Sequence, residues 1–452
     1  MAHNGTPASV DAEIAGPAAG DGSGGPVLSG GVEQAGARVG YAVFADAGRP
    51  GGASRADGAV ECAAAVRSGD GMRAGARLLG VDLARGLAVL GMYAAHVGPD
   101  PREGGVEGFV MELTHGRSSA LFAFLAGFSI LLITGRRVPK VGQAGRQARV
   151  KILIRAGILL VIGTALTATG TKVEVILAYY GMYFLLALPF ARLRAGTLAV
   201  IAAVSALALS QLVFLVLQDL SWTDAVNRFD PLAWSGSRGD PIGSGDGVIG
   251  LLITGNYPAL SWMPFVFAGM AVARLDLAAT VIRVRLALTG IGLAVLGYGG
   301  SALALHFAPG VRERPGIMYA PWWSDMAEDP AGWRYQLGAM PHSETTLSII
   351  ANTGVALTVL VVCLAACDGS RRILKVATPL IAVGSMSLTA YVFHVVAIAI
   401  LGFDVLPAGS LPVLLGLSAI IMMFAYCWSR FFRRGPLEWL LHRATTVAER
   451  VR

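Results

Sequence analysis

Charge is scarce in this 452-residue chain: Asp, Glu, Lys and Arg make up 14% of it, against roughly 25% in a soluble globular domain. With 54% hydrophobic residues, that scarcity excludes a water-soluble globule. Cysteine is scarce too. Cys62, Cys363, Cys367 and Cys427 have no Cys or His partner at zinc-site spacing, so neither a disulfide framework nor a metal is expected, and they read as small packing residues. Also missing are a phosphate-binding Gly-Lys-Ser/Thr loop and a Gly-x-Ser-x-Gly elbow, which argues against nucleotide hydrolysis and hydrolase-type serine chemistry. Gly245, Gly247 and Gly250 match a dinucleotide fingerprint by letters only, because they open an apolar helix and follow no strand.

What is present is ten apolar stretches, approximately 78–97, 118–135, 152–170, 173–191, 196–217, 248–273, 285–307, 345–366, 376–401 and 411–429. Crossing a bilayer takes roughly 20 apolar residues, so the expected fold is all-α, a polytopic membrane bundle of about ten transmembrane helices. The net charge of +7 comes from Arg and Lys in short loops that fall on one side if every stretch crosses once, among them Arg136, Arg137, Arg192, Arg194, Arg371, Arg372, Arg433 and Arg434. That asymmetry puts both termini in the cytoplasm of a plasma (inner) membrane protein and explains the charge without nucleic acid. Residues 1–75 are rich in Gly and Ala and poor in large apolar residues, and are expected to be a disordered cytoplasmic tail without a cleavable signal peptide. The bundle is expected over 76–434. Residues 435–452 open with Gly435-Pro436-Leu437-Glu438-Trp439 and read as a short amphipathic helix at the inner surface.

Ionisable groups inside an apolar span cost at least ~2.5 kcal/mol each near its centre, so they mark function. In the first span Asp82, Arg85 and His96 share one helical face, with Arg85 and His96 separated by eleven residues, or about 17 Å of helix. Asp82 and Arg85, three apart, are also spaced for a simple ion pair. His115 and Arg117 open the second span on the side that receives His96, giving two imidazoles as candidate acid–base groups and a cation for developing negative charge. Ser387, Tyr391 and His394 line one face of the ninth span, either as interhelical glue or as a pocket wall. His306, His342 and Glu174 near outer span ends are secondary candidates. In the sixth span Asn256, Tyr257, Pro258, Trp262 and Pro264 interrupt the helix, and broken backbone at membrane depth belongs beside protein or a watery cavity.

Several of these residues also carry a family resemblance. Val81-Asp82-Leu83-Ala84-Arg85-Gly86 with His96, Leu121 to Gly127, Ile176-Leu177 with Tyr180-Gly181, Tyr257-Pro258 with Trp262, Gly269 with Arg274 and Asp276, Pro379 through Gly384 to Tyr391, and Gly435 to Trp439 resemble the YeiB-like and heparan-α-glucosaminide N-acetyltransferase-like transmembrane acyltransferases. The resemblance spans about residues 77–440. It implies transfer of an acyl group, typically acetyl, from cytosolic acyl-CoA as co-substrate to an amino or hydroxyl group of a glycan or other small-molecule acceptor on the outer side. His115 or His96 would be the catalytic base or acyl carrier. Asp82, Arg85, Arg136 and Arg137 are the expected acyl-CoA ligands, and Arg117, Tyr180, Asn256, Tyr257, Trp262, Ser387, Tyr391 and His394 the expected substrate wall. Membrane lipid is the surrounding partner, and monomer and homodimer both remain open. The rival reading is a secondary transporter of a small amphiphile, since broken helices and buried ionisable groups also describe carriers; no internal repeat relates the two halves.

Overall fold

The computed structural model describes residues 69–101, 104–171, 173–217, 230, 247–307, 332–405 and 409–451. The expected tail lies outside them up to residue 68, as do most of the outer connections 218–247 and 308–344. Every regular element among the described residues is helical. In chain order these are α1 (Gly69–Val97), α2 (Gly105–Thr114), α3 (Arg117–Thr134), α4 (Gly142–Thr167), α5 (Leu177–Ala187), α6 (Ala195–Leu217) and α7 (Ala259–Ala273). They continue with α8 (Thr280–Ala294), α9 (Gly300–Phe307), α10 (Thr346–Gly369), α11 (Arg371–Ser385), α12 (Ser387–Val405), α13 (Leu411–Phe431) and α14 (Pro436–Thr445).

Among the described residues, six helical segments are long and apolar enough to cross a membrane, and a bent pair makes a seventh. The expected ten stretches are all helical, but several are not uninterrupted spans. The stretch 173–191 holds only the eleven residues of α5 and a 3-10 turn at Leu188–Arg192. Within 248–273, a π turn at Gly250–Thr254 ends at the Gly255 to Pro258 break, and α7 restarts with fifteen residues. Pro258 lacks an N–H and stands as the N-cap, so the backbone cannot continue through it. Residues 376–401, expected as one span, are α11 and α12 meeting at 77°.

α1, α3 and α7 form the centre. Nearly every residue of α3 and α7 is buried, whereas α6, α8 and α13 expose large apolar side chains such as Val204, Leu288 and Met423, as lipid-facing helices do. Small residues let the central backbones touch. A Cβ on Gly269 of α7 would collide with the Phe124 carbonyl of α3, and one on Gly384 at the end of α11 with the Asp82 carbonyl of α1. The second contact sets the bend between α11 and α12 directly against the charged part of α1.

Candidate functional site

Two polar regions meet α1, one at Arg85 and the other at His96. The first is a cavity of about 340 Å³ among α1, α3, α4, α5, the α11–α12 bend and α14. Arg85, Arg155, Arg434 and His442 lie on its wall with a single carboxylate, Glu438. Arg85 pairs with Asp82 at 2.7 Å and donates to the Ser129 hydroxyl at 3.0 Å, so its guanidinium is held in one orientation. Tyr180 and Ser387 line the same cavity, and the Tyr180 hydroxyl is buried without a hydrogen-bond partner. Glu438 of α14 reaches the start of α12, where its carboxylate accepts the Leu388 and Thr389 amides at 2.7 and 3.1 Å and the Thr389 hydroxyl at 2.6 Å. A carboxylate at a helix N-terminus satisfies orphan donors and complements the helix dipole, which explains why the chain can bend here without stranding polar backbone.

The second region is a group of four imidazoles. His96 Nδ1 and His394 Nε2 are 3.0 Å apart with rings stacked, and the Tyr93 ring also stacks with His394 at 4.5 Å between centres. His115, at the C-terminus of α2, meets His342 edge-on at 6.4 Å between ring centres. His342 also contacts the rings of Tyr257 and Trp262. His394 is buried, His96 and His115 are half-buried and His342 is exposed, so the group is accessible from one side. His342 and Glu344 are the only described non-glycine residues with positive φ, 55° and 54°. Such backbone costs of order 1–3 kcal/mol per residue and persists where surrounding structure enforces it. Here the enforcement comes from Glu344, which accepts the Trp262 indole N–H at 2.6 Å and the Ser261 hydroxyl, while its carbonyl accepts the Ser210 hydroxyl at 2.6 Å. Burial pushes the Glu344 carboxyl up to about 8.

An aromatic layer separates the two regions. Phe122 lines the basic cavity, and its ring lies 4.8 Å from Tyr180 and 6.4 Å from Tyr391. Tyr391 accepts the Ile176 amide at 3.1 Å and lies edge-on to His394 at 4.9 Å. The stripe Ser387, Tyr391, His394 therefore runs from the basic cavity, through the aromatic layer, to the imidazoles.

Other expected site residues are placed elsewhere. Arg136 donates to the Ala273 and Leu275 carbonyls at 3.0 and 3.4 Å, and Arg137 pairs with Asp276, so both fasten the loop after α3 to the segment that ends α7 and neither is on the cavity wall. A helix C-terminus offers unpaired carbonyls, which attract a nearby cation such as Arg136. Arg117 is held by the Tyr298 hydroxyl at 2.7 Å and by the Glu112 carbonyl, and Tyr298 in turn donates to Asn352 at 2.8 Å. Asn256 is exposed and uses its backbone amide to reach the Tyr179 hydroxyl at 3.0 Å. Arg155, Arg434, Glu438, His442 and Glu344 were not legible as site residues. The available signals are Arg155, an ionisable group within the third apolar stretch, and Glu438, which stands in the Gly435–Trp439 motif.

These features define a multi-pass helical membrane protein with a basic cavity and an imidazole group joined by one central helix. Residues 77–300 match the family described as heparan-alpha-glucosaminide N-acetyltransferase, catalytic. Residues 330–448 match the family described as a protein of unknown function, DUF418, the YeiB-like family. The chain belongs to this YeiB-like and heparan-α-glucosaminide N-acetyltransferase-like family, and its first matched segment is that of a transferase catalytic region. No curated protein matches the chain. Each matched segment contributes to both regions: Arg85 and His96 come from the first, and Arg434, Glu438, His342 and His394 from the second.

Proposed function

We propose that this protein is an integral-membrane acetyltransferase that takes an acetyl group from acetyl-CoA at the inner side and delivers it to an amino or hydroxyl group of a glycan or other small-molecule acceptor at the outer side. Ten membrane passages with both termini cytoplasmic accompany this reading, because they put the Arg-rich loops inside. The observation that carries it is the joint placement on α1 of Arg85 in a basic cavity and His96 in an imidazole group, about 17 Å apart by helical rise.

Arg85, Arg155 and Arg434 supply charge-assisted donors suited to the phosphates of CoA. The rings of Phe122, Tyr180 and Tyr391 occupy the path to the imidazoles, so turnover requires them to rotate aside. At the outer end His115 or His96 accepts the proton of the acceptor amine or hydroxyl as its nitrogen or oxygen attacks the thioester carbonyl. The carbon–sulfur bond breaks, and the CoA thiolate leaves and is protonated. Transfer through an acyl-histidine obeys the same balance in two steps.

The test uses reconstituted protein, radiolabelled acetyl-CoA and a panel of amino sugars and cell-envelope glycans. Label is expected in at least one acceptor, and His115→Ala or His96→Ala, whichever removes the base, should lower the rate by 10²–10⁴-fold. Thioester that stays intact with every acceptor, or solute uptake coupled to protons without thioester loss, would refute transfer and favour a carrier.

A further inference from the structure

A second cavity, of about 460 Å³, lies between α6, α7, α8 and α10 and shares no lining residue with the basic one. Its wall follows α6 from Ala195 to Leu207, a run of about 18 Å at 1.5 Å per residue. Thr289 and Thr353 carry the only polar side chains on that wall, so water would find few partners there. Ala199, Ala203 and Leu207 are exposed as well as lining it, so the cavity opens sideways at membrane depth.

Volume and position identify what fits. Over the same 18 Å a helix of about 10–12 Å diameter would fill roughly 1,400 Å³ or more, which exceeds the cavity. A hydrocarbon chain, whose carbons pack at about 4 Å, fits. The outer end of the tube adjoins the strained turn. Thr346 donates to the Ala206 carbonyl at 3.2 Å, Ser210 one turn further holds the Glu344 carbonyl, and Pro264 on the wall follows Trp262, whose indole holds the Glu344 carboxyl. An apolar tube open to lipid thus ends beside Glu344 and His342, where polar groups and imidazoles begin.

We infer that this cavity holds one hydrocarbon chain of a membrane amphiphile whose polar head lies at the His342–Glu344 turn. Resting on the acetyltransferase reading, this makes the acceptor a lipid-anchored amine or alcohol. In lipid the chain gains little from leaving one apolar medium for another, so recognition comes from the fit of the tube and from the head group.

The full-length protein is reconstituted in phosphatidylcholine vesicles containing a trace of phosphatidylcholine with a diazirine in its acyl chain, illuminated, and mapped by mass spectrometry. Adducts are expected to concentrate on the lining segments of α6 and α7. Ala203→Phe should lower their yield at least tenfold and Ala203→Val by less, while Val204→Phe, exposed on the same helix but off the wall, should leave it unchanged. Adducts spread evenly over all lipid-facing helices, or indifferent to Ala203→Phe, overturn the chain site. In a second arm, wild-type protein is expected to acetylate dodecyl glucosaminide at least tenfold more efficiently than glucosamine, and Ala203→Phe to erase that preference. Equal use of the two acceptors by wild type overturns the lipid-anchored acceptor. Transfer to neither sinks the acetyltransferase reading and with it the acceptor assignment, while the adduct map still decides whether the tube holds a chain.

Discussion

Replacing Glu438 by Gln isolates the charge that α14 brings to the start of α12. One oxygen of the carboxylate accepts the Leu388 and Thr389 amides, the other accepts the Thr389 hydroxyl, and that hydroxyl itself accepts the Leu437 amide at 3.1 Å. Gln keeps an oxygen for the two amides but loses the charge. A negative group at a helix N-terminus contributes about 0.3–1 kcal/mol, and up to ~2 when partly buried. Hydrogen bonds to a charged acceptor contribute about 1.5–3 kcal/mol against about 1 for a neutral one. The amide nitrogen of Gln also points a donor at the Thr389 hydroxyl, which must rotate. Together these give a loss of about 2 kcal/mol in holding α14 to the bend, or roughly 30-fold in the local opening equilibrium. Hydrogen–deuterium exchange of a peptide covering the start of α12 reads this directly: the Leu388 and Thr389 amides are expected to exchange about 10–30-fold faster in Glu438→Gln. Glu449→Gln is the control, since Glu449 pairs with Lys151 in an exposed contact on the same terminal segment and should leave those amides alone. Unchanged exchange in Glu438→Gln, or equal acceleration in the control, would show that the carboxylate does not cap α12.

Gly269→Ala should cost about 1–3 kcal/mol because its methyl group pushes on the Phe124 carbonyl, whereas Gly157→Ala, with open space around it on α4, should be neutral or slightly stabilising; melting temperatures in the reverse order would contradict the packing. Glu344 is held protonated near neutral pH, so the fold binds a proton the unfolded chain lacks between about pH 4.5 and 8, and stability falls as pH rises through that window. Glu344→Gln should therefore flatten thermal stability against pH and gain most above pH 8; a parallel pH profile in the variant would refute this. Under the proposed transfer, Arg434→Gln at the cavity wall should raise the KM for acetyl-CoA about fivefold with kcat held, an effect shrinking with added salt. A change confined to kcat would place Arg434 outside the donor site.

Much of the architecture was readable from residue order because membrane depth imposes a strong rule: backbone must be helical and apolar there unless protein surrounds it. That rule located the ten apolar stretches, picked out Arg85 and His96 as buried groups on one face, and marked the break at Gly255 to Pro258. It missed the break at Gly384 to Met386, where no proline stands inside the turn and the flanking residues average to an apolar run. There the decisive features are the backbone contact of Gly384 with α1 and the remote cap from Glu438, neither local in sequence.

Composition and spacing by themselves determined a helical membrane chain with an arginine and an imidazole spaced along one helix, because burial energies and the helical repeat act residue by residue. Only the tertiary structure decided which charges remain for a ligand. Arg136 and Arg137 are taken up by the end of α7, while Arg155 and Arg434, from helices far apart in sequence, meet Arg85 on one wall. It also brought His342 and Glu344 from a distant turn to His115 and Trp262, since long-range packing, and not any local preference, selects which side chains converge.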